Sequence, residues 1–127
     1  MRNKPNFTFE DLDVWKEARE LRTEIANIVK KFPGEEKYRL VDQMIRASRS
    51  ITANIAEGYG RFHYRENIQF CRLARGSIFE LIDHLTVALD ENYIDNESFK
   101  LLKGSCYNVL KKLNSYIKYL KRQSNQQ

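Results

Sequence analysis

A chain of 127 residues is long enough to bury a core of its own and suits a single domain, residues 1–127. With 42% hydrophobic and 31% charged residues, but five Gly and two Pro, it fits neither a disordered chain nor a β-sandwich or barrel punctuated by regular turns. The net charge of +5 is unevenly placed: no acid follows Ser98, yet seven Lys and Arg do, which points to a polyanionic partner such as nucleic acid.

The N-terminal MRNKPNFTFEDLD lacks the apolar stretch of a secretory signal, and no apolar run is long enough to span a bilayer. A cytoplasmic protein without membrane contact is expected. Leu12, Trp15, Ala18, Leu21, Ile25, Ile28 and Phe32 then recur at three- and four-residue steps, predicting a helix over about 11–32. Asp11 and Asp13 at its start, and Lys30 and Lys31 at its end, complement the helix dipole, and Pro33-Gly34 stops it. Leu40, Met44, Ala47, Ile51, Ile55 and Gly58 carry a second helix over about 35–58. A turn over Gly58–His63 leads to a third helix over about 64–91, with a seam of Ile68, Cys71, Ala74, Ile78, Leu81, Leu85 and Ala88. Phe70, Leu73, Phe79 and Ile82 widen that seam, so burial on two sides is expected. After a polar connection, with Asp95 or Asn96 as cap, Phe99, Leu102, Cys106, Val109, Leu110, Leu113, Ile117 and Leu120 predict a fourth helix over about 97–122. Short loops between long helices make an all-α, antiparallel up-down-up-down four-helix bundle. Cys71 and Cys106 lie within apolar seams, which suits buried thiols in a reducing compartment.

The order FEDLDVW, then YRLVDQMIRASRSITANIAEGYGR, then FCRLARGSIFEL resembles the four-helix bundle family of 23S rRNA intervening-sequence proteins. The resemblance runs from about Phe9 to Leu120 and implies a bundle that assembles into a ring-like homopentamer. Related accessory proteins of diversity-generating retroelements are basic and work with a reverse transcriptase and nucleic acid. No catalytic chemistry is implied for the family.

Within NIAEGYGR the polar residues stand where an apolar run ends. Pairing the second and third helices around the turn puts Asn54 near Ile68 and Ala47 near Arg75-Gly76, so that Gly76 permits a close backbone approach. Arg46, Arg75 and Glu80 then join Asn54 and Glu57 at one polar junction, with Glu57 and Glu80 paired to arginines that fix helix register. A small anion- or base-binding pocket is the functional alternative there. Gly58-x-Gly60 is no dinucleotide fingerprint, since position 63 is His and no strand precedes it. Glu80 and His84 are four apart, a helix-surface pair rather than the ligand set of a metal bundle. Ser48, Ser50 and Ser77 lack a nucleophile elbow, so no catalytic residue, metal or cofactor is assigned.

Advancing 100° per residue places Lys100, Lys103, Tyr107, Lys111, Asn114, Lys118 and Arg122 on one stripe of the fourth helix, away from its apolar seam. Lysines there could neutralise phosphates and Tyr107 could stack on a base; a merely solvated basic face is the alternative. Arg61-Phe62-His63-Tyr64-Arg65 forms a second cluster, in which Arg61 and Arg65 could hold phosphates while Phe62 and Tyr64 stack, cap the bundle or fill a neighbour's groove. Together with the pentamer that the resemblance implies, these features lead to a non-enzymatic homo-oligomer that binds RNA or DNA through basic surface. The alternative is an adaptor ring that docks a protein such as a reverse transcriptase without touching nucleic acid.

Overall fold

The computed structural model describes residues 6–125; residues 1–5 and 126–127, the ends of the expected 1–127 domain, lie outside the described residues. Four α-helices make up the described chain: α1 Asp13–Ile28, α2 Leu40–Tyr59, α3 Tyr64–Asp90 and α4 Asn96–Asn125. Each packs against its neighbours in the chain and α4 returns to α1, giving the antiparallel bundle that periodicity predicts. Most of the seams read from the sequence are buried: Leu40, Met44, Ala47, Ile51 and Ile55, the seven positions from Ile68 to Ala88, and Leu102, Cys106, Val109, Leu113, Ile117 and Leu120. Trp15, Ile28, Phe99 and Leu110 are half-buried, and in α1 and the turn after it Val14 and Val29 are buried as well.

The ends of α1 and the start of α2 differ from the expected bounds. Residues 9–11 form a 3₁₀ turn, tied by the Asp11 carboxylate accepting the Thr8 N–H at 3.0 Å, and Leu12 is extended before α1 begins. Val29–Lys31 tighten into a second 3₁₀ turn, and Phe32 turns extended (ψ 155°) because the ring of Pro33 disfavours helix at the preceding residue. A third 3₁₀ turn, Gly34–Glu36, delays α2 to Leu40. Glu36 explains the delay, since its carboxylate accepts the Leu40 N–H at 3.4 Å and the Tyr93 hydroxyl at 2.7 Å.

At this same end of the bundle, where Tyr93 meets Phe32 and Glu36, α3 stops in a Schellman turn. Asn92 takes φ 62°, the Tyr93 N–H reaches the Ala88 carbonyl at 2.9 Å, and the Asn92 N–H reaches that of Leu89 at 3.0 Å. Asp95 then caps α4 by accepting the Ser98 N–H at 2.7 Å.

The α2–α3 register is shifted from the expected one. Ser50 faces Ser77, with their hydroxyls 2.9 Å apart, so Ala47 meets the region of Ser77 and Glu80 rather than Arg75-Gly76. Side chains lean toward their own helix N-terminus, which raises both residue numbers at any antiparallel contact. Gly76 makes no close approach: a Cβ there would meet nothing within 4 Å. The tight crossing lies at Gly58, where a Cβ would fall 2.6 Å from Asn67 Oδ1 and 2.9 Å from Phe70 Cβ. Asn67 is buried, donates to the Tyr116 hydroxyl at 3.1 Å and lies 3.6 Å from Cys71 Sγ, so one amide links α3 to α4 beneath the α2 glycine.

The wide apolar face of α3 is partly covered. Phe70 and Ile82 are half-buried, whereas Leu73, Phe79 and Val87 are exposed, as are Leu101 and Tyr107 on α4.

Candidate nucleic-acid interface

The expected polar junction is dispersed rather than assembled. Glu57 pairs with Arg61 at 2.8 Å across one helical turn, both side chains being about half exposed. Glu80 pairs with His84 at 3.2 Å, not with an arginine. Arg75 turns to α4 and donates to Asn114 Oδ1 at 3.2 Å, and Arg46 stands 3.9 Å from Asp42. Partners four residues away take Arg46, Glu57 and Glu80, while Arg75 pairs across to α4 instead of with α2. What does bridge α2 and α3 is a run of small polar groups: Asn54 Nδ2 donates to Ser50 Oγ at 3.0 Å, and Ser50 meets Ser77. Arg46 and Glu80 share the groove over that contact with Arg49 and His84.

Arg61 is also not the free phosphate ligand of the sequence reading. Besides Glu57 it lies 3.8 Å from Glu66, and its guanidinium stacks over Phe70 at 4.7 Å. Phe62 is 88% exposed and packs edge-on to His63, so within one chain it caps nothing. Tyr64 is half-buried against the core. Arg65 points instead into a groove between α3 and α4, of about 340 Å³, where Arg72 and Lys121 join it beside Gln69 and Ser124 with no acid in the lining. Neither Arg72 nor Lys121 stood out in the sequence, because Arg72 lies about two turns along α3 from Arg65 and Lys121 comes from α4.

Along α4 the basic stripe is largely exposed, and two of its residues, Lys111 and Arg122, line a groove. Lys100, Lys111, Lys118 and Arg122 are exposed, Tyr107 is 45% exposed, and Lys103 is half-buried over the ring of Phe99 at 5.6 Å. Lys111 and Arg122 rim a groove of about 600 Å³ on the α1 side. There Tyr116 and Tyr119 lie nearly parallel, 13° between planes and 6.3 Å between centroids, with Leu12 and Val14 also in the lining. Lys112 crosses it to Glu17 at 3.4 Å. Among the described residues, Lys112 is the one cation of α4 with an acid within 4.0 Å; the other six have none.

Both thiols are buried, and desolvation pushes each up to about 12, which keeps them protonated and unreactive at neutral pH. Among the described residues no three His, Cys, Asp or Glu gather to hold a metal ion. No described helix is long and apolar enough to cross a membrane.

The same architecture occurs in a crystal structure of a protein of unknown function from the S23 ribosomal protein family of Bacteroides thetaiotaomicron. The two superpose with a TM-score of 0.76 at 25% identity, over 83% of this chain and 98% of the other. No curated protein matches the chain. The model of the 23S rRNA-intervening sequence protein family matches residues 10–115, from the 3₁₀ turn before α1 to the last third of α4. The fold is thus a shared one, and the chain belongs to the 23S rRNA-intervening sequence protein family.

Proposed function

We propose that this protein is a non-enzymatic, cytoplasmic homo-oligomer, a pentameric ring, that binds RNA or DNA through the basic surface of α3 and α4. The observation that carries the reading is the set of six α4 cations with no acid within 4.0 Å among the described residues. A solvated face that serves solubility alone usually mixes both signs. Here like charges line a helix about 45 Å long, at 1.5 Å per residue over 30 residues, and continue onto Arg65 and Arg72. Self-association is supported by Leu73, Phe79 and Leu101, large apolar side chains left in water by the single chain. A closed ring repeats each weak phosphate contact around an axis, so modest sites gain avidity. Two buried free thiols suit a reducing cytoplasm.

The test is fluorescence anisotropy with labelled single- and double-stranded oligonucleotides across a salt series. Binding should weaken linearly on a log–log salt plot. Replacing Lys111, Lys118 and Lys121 with Gln should reduce the slope by about 0.7 per lost single-strand phosphate contact and about 0.9 per lost duplex contact. No wild-type binding at low salt would overturn the reading and leave the adaptor ring, whose lysines would then meet an acidic protein surface such as one on a reverse transcriptase.

A further inference from the structure

We propose that the groove between α1 and α4 is a stacking slot for an unpaired base of a single strand. In it the ring of Tyr119 receives the base, and Lys111 and Arg122 hold phosphates on either side. The inference rests on the nucleic-acid reading above and names the form of nucleic acid that this surface takes.

Three observations lead to this groove rather than its neighbours. Its volume of about 600 Å³ falls within the span of about 300–1,000 Å³ that small-molecule sites occupy, so a nucleobase fits with room for its sugar. Its lining joins a pair of nearly parallel tyrosine rings to basic side chains, the combination that single-strand binding surfaces use. Tyr116 is buried and its hydroxyl is engaged by Asn67, so that ring is a fixed support, while half-buried Tyr119 is the ring still open to the groove.

The other grooves lack one half of this chemistry. Arg65, Arg72 and Lys121 line theirs without an aromatic ring, so it can hold phosphates but not bases. Near Trp15, the ring is already covered by Arg19 at 5.7 Å, and Arg22 donates to Thr52 at 3.0 Å. Between α2 and α3, Arg46 and Arg49 share their groove with the Glu80 carboxylate and no aromatic ring other than His84.

Charge inside the slot sorts its two ends. Glu17 is neutralised by Lys112, and Asp13 sits at the first turn of α1, where the helix dipole favours a carboxylate. Neither acid is drawn to a phosphate, so phosphates belong on the Lys111 and Arg122 rim. Those two residues are eleven apart, about 16 Å along the axis at 1.5 Å per residue, which several nucleotides of an extended strand can bridge. A base within a duplex has neighbours on both faces and would have to leave the stack before it could reach Tyr119.

The experiment compares three labelled probes of equal length by anisotropy: single-stranded oligouridylate, the same backbone without bases, and an RNA duplex. Wild-type protein should bind oligouridylate more tightly than the abasic strand. Tyr119→Ala should weaken oligouridylate binding by about 5- to 150-fold, the span that loss of one base–aromatic stack covers, and leave abasic binding unchanged. Tyr119→Phe should retain wild-type affinity. Equal affinity of wild type for the abasic and base-bearing strands overturns the slot, as does an unaltered Tyr119→Ala. Because the abasic comparison uses unmodified protein, it decides the matter even if Tyr119→Ala fails to fold. Failure of all three probes to bind would instead strike the nucleic-acid reading itself.

Discussion

Replacing Gly58 with Ala should destabilise the bundle, although helix propensity alone says the reverse. The added methyl would fall 2.9 Å from Phe70 Cβ and 3.1 Å from the Asn67 carbonyl oxygen, atoms fixed by the α3 backbone, so α2 and α3 must part. Overpacking of this kind costs about 1–3 kcal/mol. The third contact, 2.6 Å to Asn67 Oδ1, could be relieved by rotating the amide, but that amide holds Tyr116, and an unsatisfied buried polar group costs about 1–3 kcal/mol. Ala gains about 1 kcal/mol over Gly in a helix. The net loss is therefore about 3 kcal/mol, or roughly 10 °C in melting temperature for a chain of this size. Gly76→Ala is the matched control: its methyl meets nothing, so it should stabilise by about 1 kcal/mol. Thermal unfolding followed by circular dichroism measures both, and a Gly58→Ala protein that melts at or above wild type would refute the close approach.

Ile51 is fully buried, so Ile51→Asp places an unpaired carboxylate in the core at a multi-kcal/mol cost and should abolish the cooperative melt; a soluble variant with wild-type melting would contradict the α2 packing. Glu57→Gln should change stability by less than about 1 kcal/mol, because its partner Arg61 is also exposed, and a larger loss in the same melt would reveal a buried role for Glu57. A disulfide-exchange thiol reagent should titrate two thiols in denaturant and almost none in the native protein, whereas rapid native labelling would place Cys71 or Cys106 at the surface. Burial raises both thiols from 9.0 to about 12, so the stability tied to their protonation is intact below pH 9. It is lost as pH climbs toward 12 and the unfolded chain ionises first; melts at about pH 8 and about pH 10.5 should show the decline, and equal stability at both would contradict it.

Periodicity made the four helices legible because each buries one stripe, and a stripe repeats every 3.6 residues whatever its neighbours are. Boundaries resisted where side chains compete with the helix for backbone groups. Residues 35–39, Glu-Glu-Lys-Tyr-Arg, contain good helix formers, yet Glu36 spends its carboxylate on the Leu40 N–H and on Tyr93, 57 residues away. The Gly58 crossing was half visible, since a glycine continued the Ile51–Ile55 seam, and Asn67 was a polar residue one turn before Cys71 on a buried face. Their meeting depended on a register that loop length alone does not set. For the charged residues, the exposure of the α4 stripe followed from its angle to the seam. The exact company of each charge did not: Arg61 is claimed by Glu57 and Glu66, while Arg65 and Arg72 of α3 are joined by Lys121 of α4.

The groove between α1 and α4 joins the two ends of the chain. Glu17 and Lys112 stand 95 residues apart, whereas Ser50 and Ser77 are 27 apart and Arg75 and Asn114 are 39 apart. Contacts between chain neighbours close short loops and form early; the α1–α4 seam closes the longest loop and has the most entropy to recover on opening. Sub-global opening should therefore begin by releasing α1 from α4, leaving α2 and α3 paired, and native-state hydrogen exchange would register it as α1 amides exchanging ahead of those around Ile51 and Ile78. A strand that settles into that groove would act as a conditional clasp, slowing exchange in α1 by mass action while leaving the centre of the bundle as it was.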